Sequence, residues 1–328
     1  MIQNEILKVE DLKKYFPVER SFLEKLLTRT RNFVRAVDGV SFVIRKGEVF
    51  TLAGESGCGK TTTGKLVLRL MPPTSGKVFF EGHEITGLKP EQMRLMRRKM
   101  QIIFQDPYAS FNPRMKIGKA VGHPLEIHNL ALEAERRKRV LDMLELVGLT
   151  PPEQFVELYP HQLSGGQRQR AAIARSLILE PEFVVADEPV SMLDVSLRAS
   201  IIDLMLDLKR ELQLTYLFIT HDLAVAKYIS DRIAIMYLGK IVEMGDKDEI
   251  FSKPLHPYTQ ALLSAIPVPS PDRRRRSIEL KGEVPSAIRI PTGCRFHPRC
   301  PFAEKRCSEE EPELRLVGPN HFVMCHKV

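Results

Sequence analysis

No stretch of the 328-residue sequence approaches the roughly 18 to 20 consecutive apolar residues that a membrane-spanning helix requires. A chain threaded through a bilayer by helices is therefore excluded. The opening residues, MIQNEILKVED, carry charge early and lack the apolar core of a secretory leader. The protein is expected to stay in the cytosol. Internal repeats and low-complexity tracts are missing as well, so solenoid arrays do not fit. Cysteine is scarce: there are five, and only Cys58 precedes residue 294. A disulfide framework is not expected in a reducing compartment. The crowding of Cys294, Cys300, Cys307 and Cys325 near the C-terminus instead suggests a metal site.

What is present describes a soluble globular protein. Hydrophobic residues make up 43% and charged residues 27%, which rules out disorder as a whole-chain description. The length admits one large domain or two smaller ones. The net charge is +8. That sign suits nucleic acid, an anionic membrane surface, or a small polyanion such as a nucleotide, and charge alone does not choose among them.

Along the chain, ILKVEDLKKYF and VRAVDGVSFVIRKGEVF alternate as β-strands do. The basic, weakly amphipathic stretch at 18–35 between them looks inserted. An apolar strand at 49–53 runs into a Gly-rich loop and then a helix from Lys60 to Met71. Helices are expected at 91–100 and 132–147. A second α/β stretch follows, with strands at 183–186 and 216–220 and a helix from Asp194 to Leu212. Strands alternating with helices argue for a mostly parallel, doubly wound α/β sheet. Beyond about residue 250 proline becomes frequent and the run Arg273 to Arg276 appears. Residues 251–328 read as an appended segment with few regular elements.

Gly54-Glu55-Ser56-Gly57-Cys58-Gly59-Lys60-Thr61 fits G-x4-G-K-[ST] in the strand-to-helix context that this motif requires. Its small residues let backbone N–H groups turn around phosphate oxygens, and the helix N-terminus adds a favourable dipole. Lys60 would reach the β- and γ-phosphates, and the Thr61 hydroxyl would ligate Mg²⁺. Cys58 fills a small position, with an activated thiol as the lesser reading. Asp187 and Glu188 end an apolar strand, where a phosphate-loop protein places its metal-holding carboxylate. Asp187 would bind Mg²⁺ through water. Glu188 would act as general base toward the attacking water.

Leu163-Ser164-Gly165-Gly166-Gln167 lies shortly before this acidic pair. Alone it would be a flexible turn or a helix cap. In this order, after a phosphate loop, it resembles the signature of the ABC ATPase family. Gln105 in QIIFQDP resembles the Q-loop glutamine, which senses the γ-phosphate and Mg²⁺. Asp194 in SMLD resembles the D-loop aspartate, and His221 in FITHD the switch histidine. Phe16 stands where the family puts an aromatic against adenine, with Tyr15 as its rival. The resemblance runs from residue 5 to about 250. It implies a RecA-like P-loop core with an antiparallel β subdomain and a helical subdomain. It also implies ATP hydrolysis with Mg²⁺ held by Thr61, Gln105 and Asp187. Gly54, Ser56, Gly57, Cys58, Gly59, Lys60, Thr61, Thr62 and Phe16 would bind nucleotide. Ser164, Gly165, Gly166, Gln167 and Asp194 would join from the opposite subunit of a head-to-tail dimer. Glu188, His221 and Gln105 would be the catalytic group. The implied division is 1–90 with 164–250 as the nucleotide-binding core, 91–163 as the helical subdomain, and 251–328 as the extension.

HPYTQAL from His256, together with GCRFHPRCPFA, resembles the C-terminal region of oligopeptide/dipeptide importer ATPases, and QIIFQDPYASFNPRM and EPVSMLDVS look most like the F-type member of the D/F ATPase pair. That implies a second ATPase subunit, two membrane permeases, an extracytoplasmic binding protein and a place at the cytoplasmic face of the membrane. Nucleic acid is not expected as a partner. Peptide is the default cargo, while relatives also move nickel chelates and oligosaccharides. The competing function is a soluble ABC ATPase acting on ribosomes or nucleic acid. The spacing C-x5-C-x6-C-x17-C lacks the paired cysteines of most zinc ribbons. It suits a [4Fe–4S] cluster, as some members of the subfamily carry. Zinc with His297, His321 or His326 is the alternative, and a metal-free tail the plain one.

Overall fold

A computed structural model of the protein describes residues 4–18, 32–266, 280 and 282–328. Most of the 18–35 stretch and the whole run Arg273 to Arg276 lie outside the described residues. The chain divides into two compact units. One comprises 1–44, 49–87 and 220–328, the other 45–48 and 88–219.

In the first unit, β1 (Glu5–Pro17), β2 (Phe33–Arg45), β4 (Ser75–Phe80) and β5 (His83–Glu84) form one sheet in the order β2-β1-β4-β5. Strands β1 and β4 pair antiparallel, setting buried Leu7 opposite Phe80 and Val9 opposite Val78. Strand β3 (Val49–Ala53) is buried throughout, as its unbroken apolar run requires. It pairs in parallel with β9 (Arg232–Tyr237). A turn through Leu238 and Gly239, both with positive φ, returns β9 as β10 (Lys240–Asp246).

The region after 250 is more regular than its composition suggests. It holds α9 (Lys247–Ser252, straddling the boundary), α10 (Pro257–Ser264), α11 (Lys305–Glu309), β11 (Arg315–Gly318) and β12 (His321–Val323). Strand β12 pairs with β10, and β11 with β12, so the C-terminus adds two strands to this sheet. Glu243 in β10 is fully buried, and its carboxylate accepts the N–H groups of Leu255 and His256 and meets His321 Nε2 at 2.8 Å. A buried carboxylate is tolerated only with such partners. Tyr237, Tyr258 and Phe296 pack with ring centroids 4.7 to 5.4 Å apart in a shared core with Ile235, Val242 and Ile250. Each such ring contributes about 1.5–3 kcal/mol by leaving water.

Helix α1 (Lys60–Val67) ends four residues short of the expected Met71. Arg69 adopts φ 48°, and two prolines follow, both of which oppose further helix.

In the second unit, β6 (Met100–Ile103), β7 (Phe183–Asp187) and β8 (Thr215–Thr220) run parallel. The helices are α2 (Pro90–Lys99), α3 (Ile117–Ile127), α4 (Glu133–Leu146), α5 (Pro152–Val156), α6 (Gly165–Leu177) and α7 (Val195–Glu211). Their starts and ends fall within a residue or so of the expected spans at 91–100, 132–147 and 194–212. Helix α3, between residues 100 and 130, has no counterpart in that reading. Helix α8 (Leu223–Ile229) returns the chain to the first unit. Among the described residues no helix is long and apolar enough to cross a membrane.

Candidate nucleotide site

The phosphate loop joins β3 to α1. Its glycines are required by contact as well as by torsion. Gly54 has φ 149°, and a Cβ there would sit 2.3 Å from the Met236 carbonyl oxygen. Gly59 has φ 109°, and a Cβ there would sit 2.1 Å from the Ala36 carbonyl oxygen. Lys60 is buried, and its ammonium donates to the carbonyls of Gly54 at 2.8 Å and Glu55 at 3.0 Å. The loop is thus folded around its own lysine, with Thr61 and Thr62 in the first turn of α1. Helix N-terminal N–H groups and an ammonium are the donors that phosphate oxygens take up in general. Cys58 does not support the activated-thiol reading. Burial raises its pKa, outweighing the downward pull of Lys60, and the buried thiol lies 3.6 Å from the Lys60 ammonium.

Near this loop, the Tyr15 hydroxyl donates to Asp38, and the Arg35 guanidinium lies 5.6 Å from the centre of the Tyr15 ring. Phe16, next along β1, is partly exposed and carries the Lys14 ammonium at 5.2 Å. His221 is exposed just after β8, and the neighbouring Asp222 caps α8 by accepting from Ala224 and Val225 N–H.

In the second unit, β7 delivers Asp187 and Glu188. Asp187 is buried. Glu188 turns the chain with φ 47° and donates its N–H to the Ile219 carbonyl at 2.9 Å. The Gln105 side-chain amide donates to the Glu188 carboxylate at 3.0 Å. Two side chains 83 positions apart therefore meet. Beyond Glu188 the Ser191 hydroxyl donates to the Glu188 carbonyl, and Asp194 becomes the N-cap of α7.

Ser164 is the N-cap of α6. Its hydroxyl accepts the Gln167 N–H, and the Gln167 side chain accepts the Ser164 N–H, a reciprocal capping box. The glycines at 165 and 166 keep the first turn bare. Sequence reasoning missed two arginines here. Arg168 is buried, donates to the carbonyls of Pro160 and Leu163, and stacks 3.7 Å from the Tyr108 ring centre. Arg175 donates to the Ser110 carbonyl and lies over Phe111. Together they fasten the segment after Gln105 to the signature helix. The signal for Arg168 was its place three residues after the glycine that opens α6, among apolar residues that follow it along the helix; Arg175 stands alone in AAIARSL and gave none.

Cys294, Cys300 and Cys325 each have a raised thiol pKa, first through burial and further through the neighbouring cysteines, Cys307 among them. That of Cys294 reaches about 11. The four thiols therefore lie within one another's electrostatic reach. Among the described residues, however, no three His, Cys, Asp or Glu side chains stand where they could hold a metal ion. The zinc alternative has no geometric support here, and the cluster reading rests on sequence alone. His297 and His326 are engaged with the Cys294 and Glu310 carbonyls, and His321 with Glu243.

The comparisons with known proteins agree with this arrangement. The ABC transporter family matches residues 37–191, and the oligopeptide/dipeptide transporter C-terminal region matches residues 242–307. The chain is 49% identical to the oligopeptide transport ATP-binding protein AppF of Bacillus subtilis (strain 168), covering 99% of this chain and 98% of that protein. The chain belongs to the oligopeptide/dipeptide branch of the ABC transporter ATP-binding proteins. It is also 45% identical to the dipeptide transport ATP-binding protein DppF of Escherichia coli (strain K12), over 100% of this chain and 96% of that protein. Among solved structures, the ATP-binding cassette MJ0796, a dimer in a post-hydrolysis state bound to ADP and Pi, matches with TM-score 0.63 and 28% identity. That match covers 74% of this chain and 99% of MJ0796. The fold is the ABC ATPase cassette, and the protein is an ATPase using ATP and Mg²⁺ in the manner typical of that family.

Proposed function

We propose that this ABC ATPase energises the import of oligopeptides or dipeptides, working beneath two permease subunits beside a second ATPase subunit. An extracytoplasmic binding protein would supply the cargo, and the subunit would sit at the cytoplasmic face of the membrane. The observation that carries this reading is similarity over nearly the whole chain, extension included, to proteins named for peptide transport. The soluble alternative on ribosomes or nucleic acid is disfavoured by the same names. In residue terms, Lys60 and the α1 N-terminus hold the phosphates, and Phe16 stacks on adenine. Engagement of Tyr15 by Asp38 and Arg35 favours Phe16 for that role. Thr61, Asp187 and Gln105 would hold Mg²⁺, which neutralises charge on the β- and γ-phosphates. Glu188 takes the proton of the attacking water, with Gln105 orienting its carboxylate. His221 contacts the γ-phosphate. Ser164, Gly165, Gly166, Gln167 and Asp194 complete the partner subunit's site. The functional division is 1–90 with 164–250, 91–163, and 251–328.

The test is reconstitution with the permeases in vesicles. ATP hydrolysis stimulated by binding protein loaded with peptide is expected. Stimulation only by an oligosaccharide or nickel chelate would reassign the cargo. For the four cysteines, a structural [4Fe–4S] cluster is the reading, resting on their C-x5-C-x6-C-x17-C spacing alone. Chain purified without oxygen should be brown, with about four irons; colourless, iron-free, folded protein removes it.

A further inference from the structure

The phosphate-loop residue whose role the motif does not explain is Glu55. It puts a carboxylate on a loop built to receive a polyanion, which would repel its ligand if left alone. In this structure it is not alone. Arg299 grips it with both terminal nitrogens, Nη1 to Oε2 at 2.8 Å and Nη2 to Oε1 at 3.1 Å. Arg299 is only 6% exposed, and its guanidinium lies 5.8 Å from the Tyr237 ring centre. The Glu55 N–H donates to the hydroxyl of buried Tyr258 at 3.0 Å, and the Glu55 carbonyl accepts from Lys60 at 3.0 Å. Every polar group of Glu55 is therefore held, its carboxylate and its N–H by residues beyond 250. Arg295, on the same short segment, donates to Asp38 and to the Leu238 carbonyl, and that aspartate holds Tyr15. The short segment from Arg295 to Arg299 thus reaches both the phosphate loop and the aromatic end of β1.

We propose that Arg299, with Tyr258, is a positioning residue of the nucleotide site: it neutralises Glu55 and fixes the phosphate loop in its receptive shape, so that the C-terminal extension sets ATP affinity. This rests on the reading of residues 54–61 as the ATP site. A bidentate guanidinium–carboxylate pair on a buried arginine is geometrically specific. The packed rings of Tyr237, Tyr258 and Phe296 hold its backbone in place. The extension is therefore continuous with the site in charge and in packing.

The test uses the full-length chain in its assembled complex. Arg299→Gln leaves the Glu55 carboxylate uncompensated beside the phosphates. ATP affinity should fall about tenfold, with KM raised and kcat changed by less than about twofold. The loss should shrink as salt is added, because it is a repulsion between charges. Adding Glu55→Gln to Arg299→Gln should recover most of the affinity, and Arg299→Lys should recover part. If Arg299→Gln does not fold, Tyr258→Phe removes only one hydroxyl and should weaken ATP binding about threefold while lowering the melting temperature by no more than a few degrees. Lys60→Ala separates the two levels. If it leaves ATP affinity unchanged, the site itself is misassigned and the proposal falls with it. If it abolishes binding while folded Arg299→Gln binds ATP as tightly as the parent, only the positioning role is overturned. A loss in Arg299→Gln that neither salt nor Glu55→Gln relieves also overturns it.

Discussion

Replacing Gly59 by alanine tests whether the loop's shape is enforced by contact or merely by torsion. The new Cβ would lie 2.1 Å from the Ala36 carbonyl oxygen. Backbone oxygen cannot swing aside as a side chain can, so the loop must move by roughly 0.9 Å to restore a 3.0 Å contact. Gly59 immediately precedes Lys60, and a shift of about 1 Å in such a group can cost on the order of a hundredfold in rate. The left-handed φ of 109° adds strain of about 1–3 kcal/mol. Gly57 provides the control. It has φ 80° and open space around its missing Cβ, so Gly57→Ala carries the torsional strain without the collision. The assay is ATP binding by titration together with thermal unfolding of nucleotide-free protein. Gly59→Ala should lose measurable ATP binding, while Gly57→Ala should keep binding within about tenfold and lose only a few degrees of melting temperature. Equal losses in the two variants, or parental ATP binding by Gly59→Ala, would refute the contact argument.

Two further outcomes follow from local chemistry. Ser164→Ala removes the capping box of α6 and should cost about 1 kcal/mol in denaturant unfolding. If the hydroxyl also serves the partner subunit's site, as proposed, ATP turnover of the assembled complex should fall by about tenfold or more; parental turnover would confine Ser164 to a capping role. Burial holds His256 neutral and pushes its pKa down to about 3, against about 6.5 in the unfolded chain. Between those values the unfolded state binds the extra proton. Stability from this residue is therefore complete above about pH 6.5 and declines as pH falls, by up to about 1.4 kcal/mol per pH unit. His256→Asn keeps an acceptor for the Tyr258 N–H and should flatten the pH 5 to 7 dependence of unfolding; an unchanged slope would assign the acid sensitivity elsewhere.

Much of the site was legible in sequence because its motifs are local. The phosphate loop needs glycine where backbone passes within 2.1 to 2.3 Å of where a Cβ would sit, and the signature needs Ser and Gln three apart to cap a helix. The Gln105–Glu188 contact was accessible only through motif order, since 83 positions separate the pair. The strands of the extension escaped the sequence for a physical reason. Its strands β11 and β12 are four and three residues long, too short for alternation to register. What fastens it to the core is long-range. Arg299 reaches back 244 positions to Glu55, and Arg295 reaches 257 to Asp38. No periodicity reports such pairs. The cysteine spacing, in turn, carried more metal chemistry than the geometry of the four thiols supports.

On the proposed mechanism, the chain binds ATP and Glu188 is the base that activates the water for its hydrolysis. Glu188→Gln removes the base while keeping a side chain that can still face Gln105. Nucleotide binding and multiple-turnover hydrolysis should be measured on the same assembled complex. ATP binding should stay near the parental level, and turnover should fall by about a hundredfold or more. Undiminished multiple-turnover hydrolysis by the Glu188→Gln complex would contradict this mechanism.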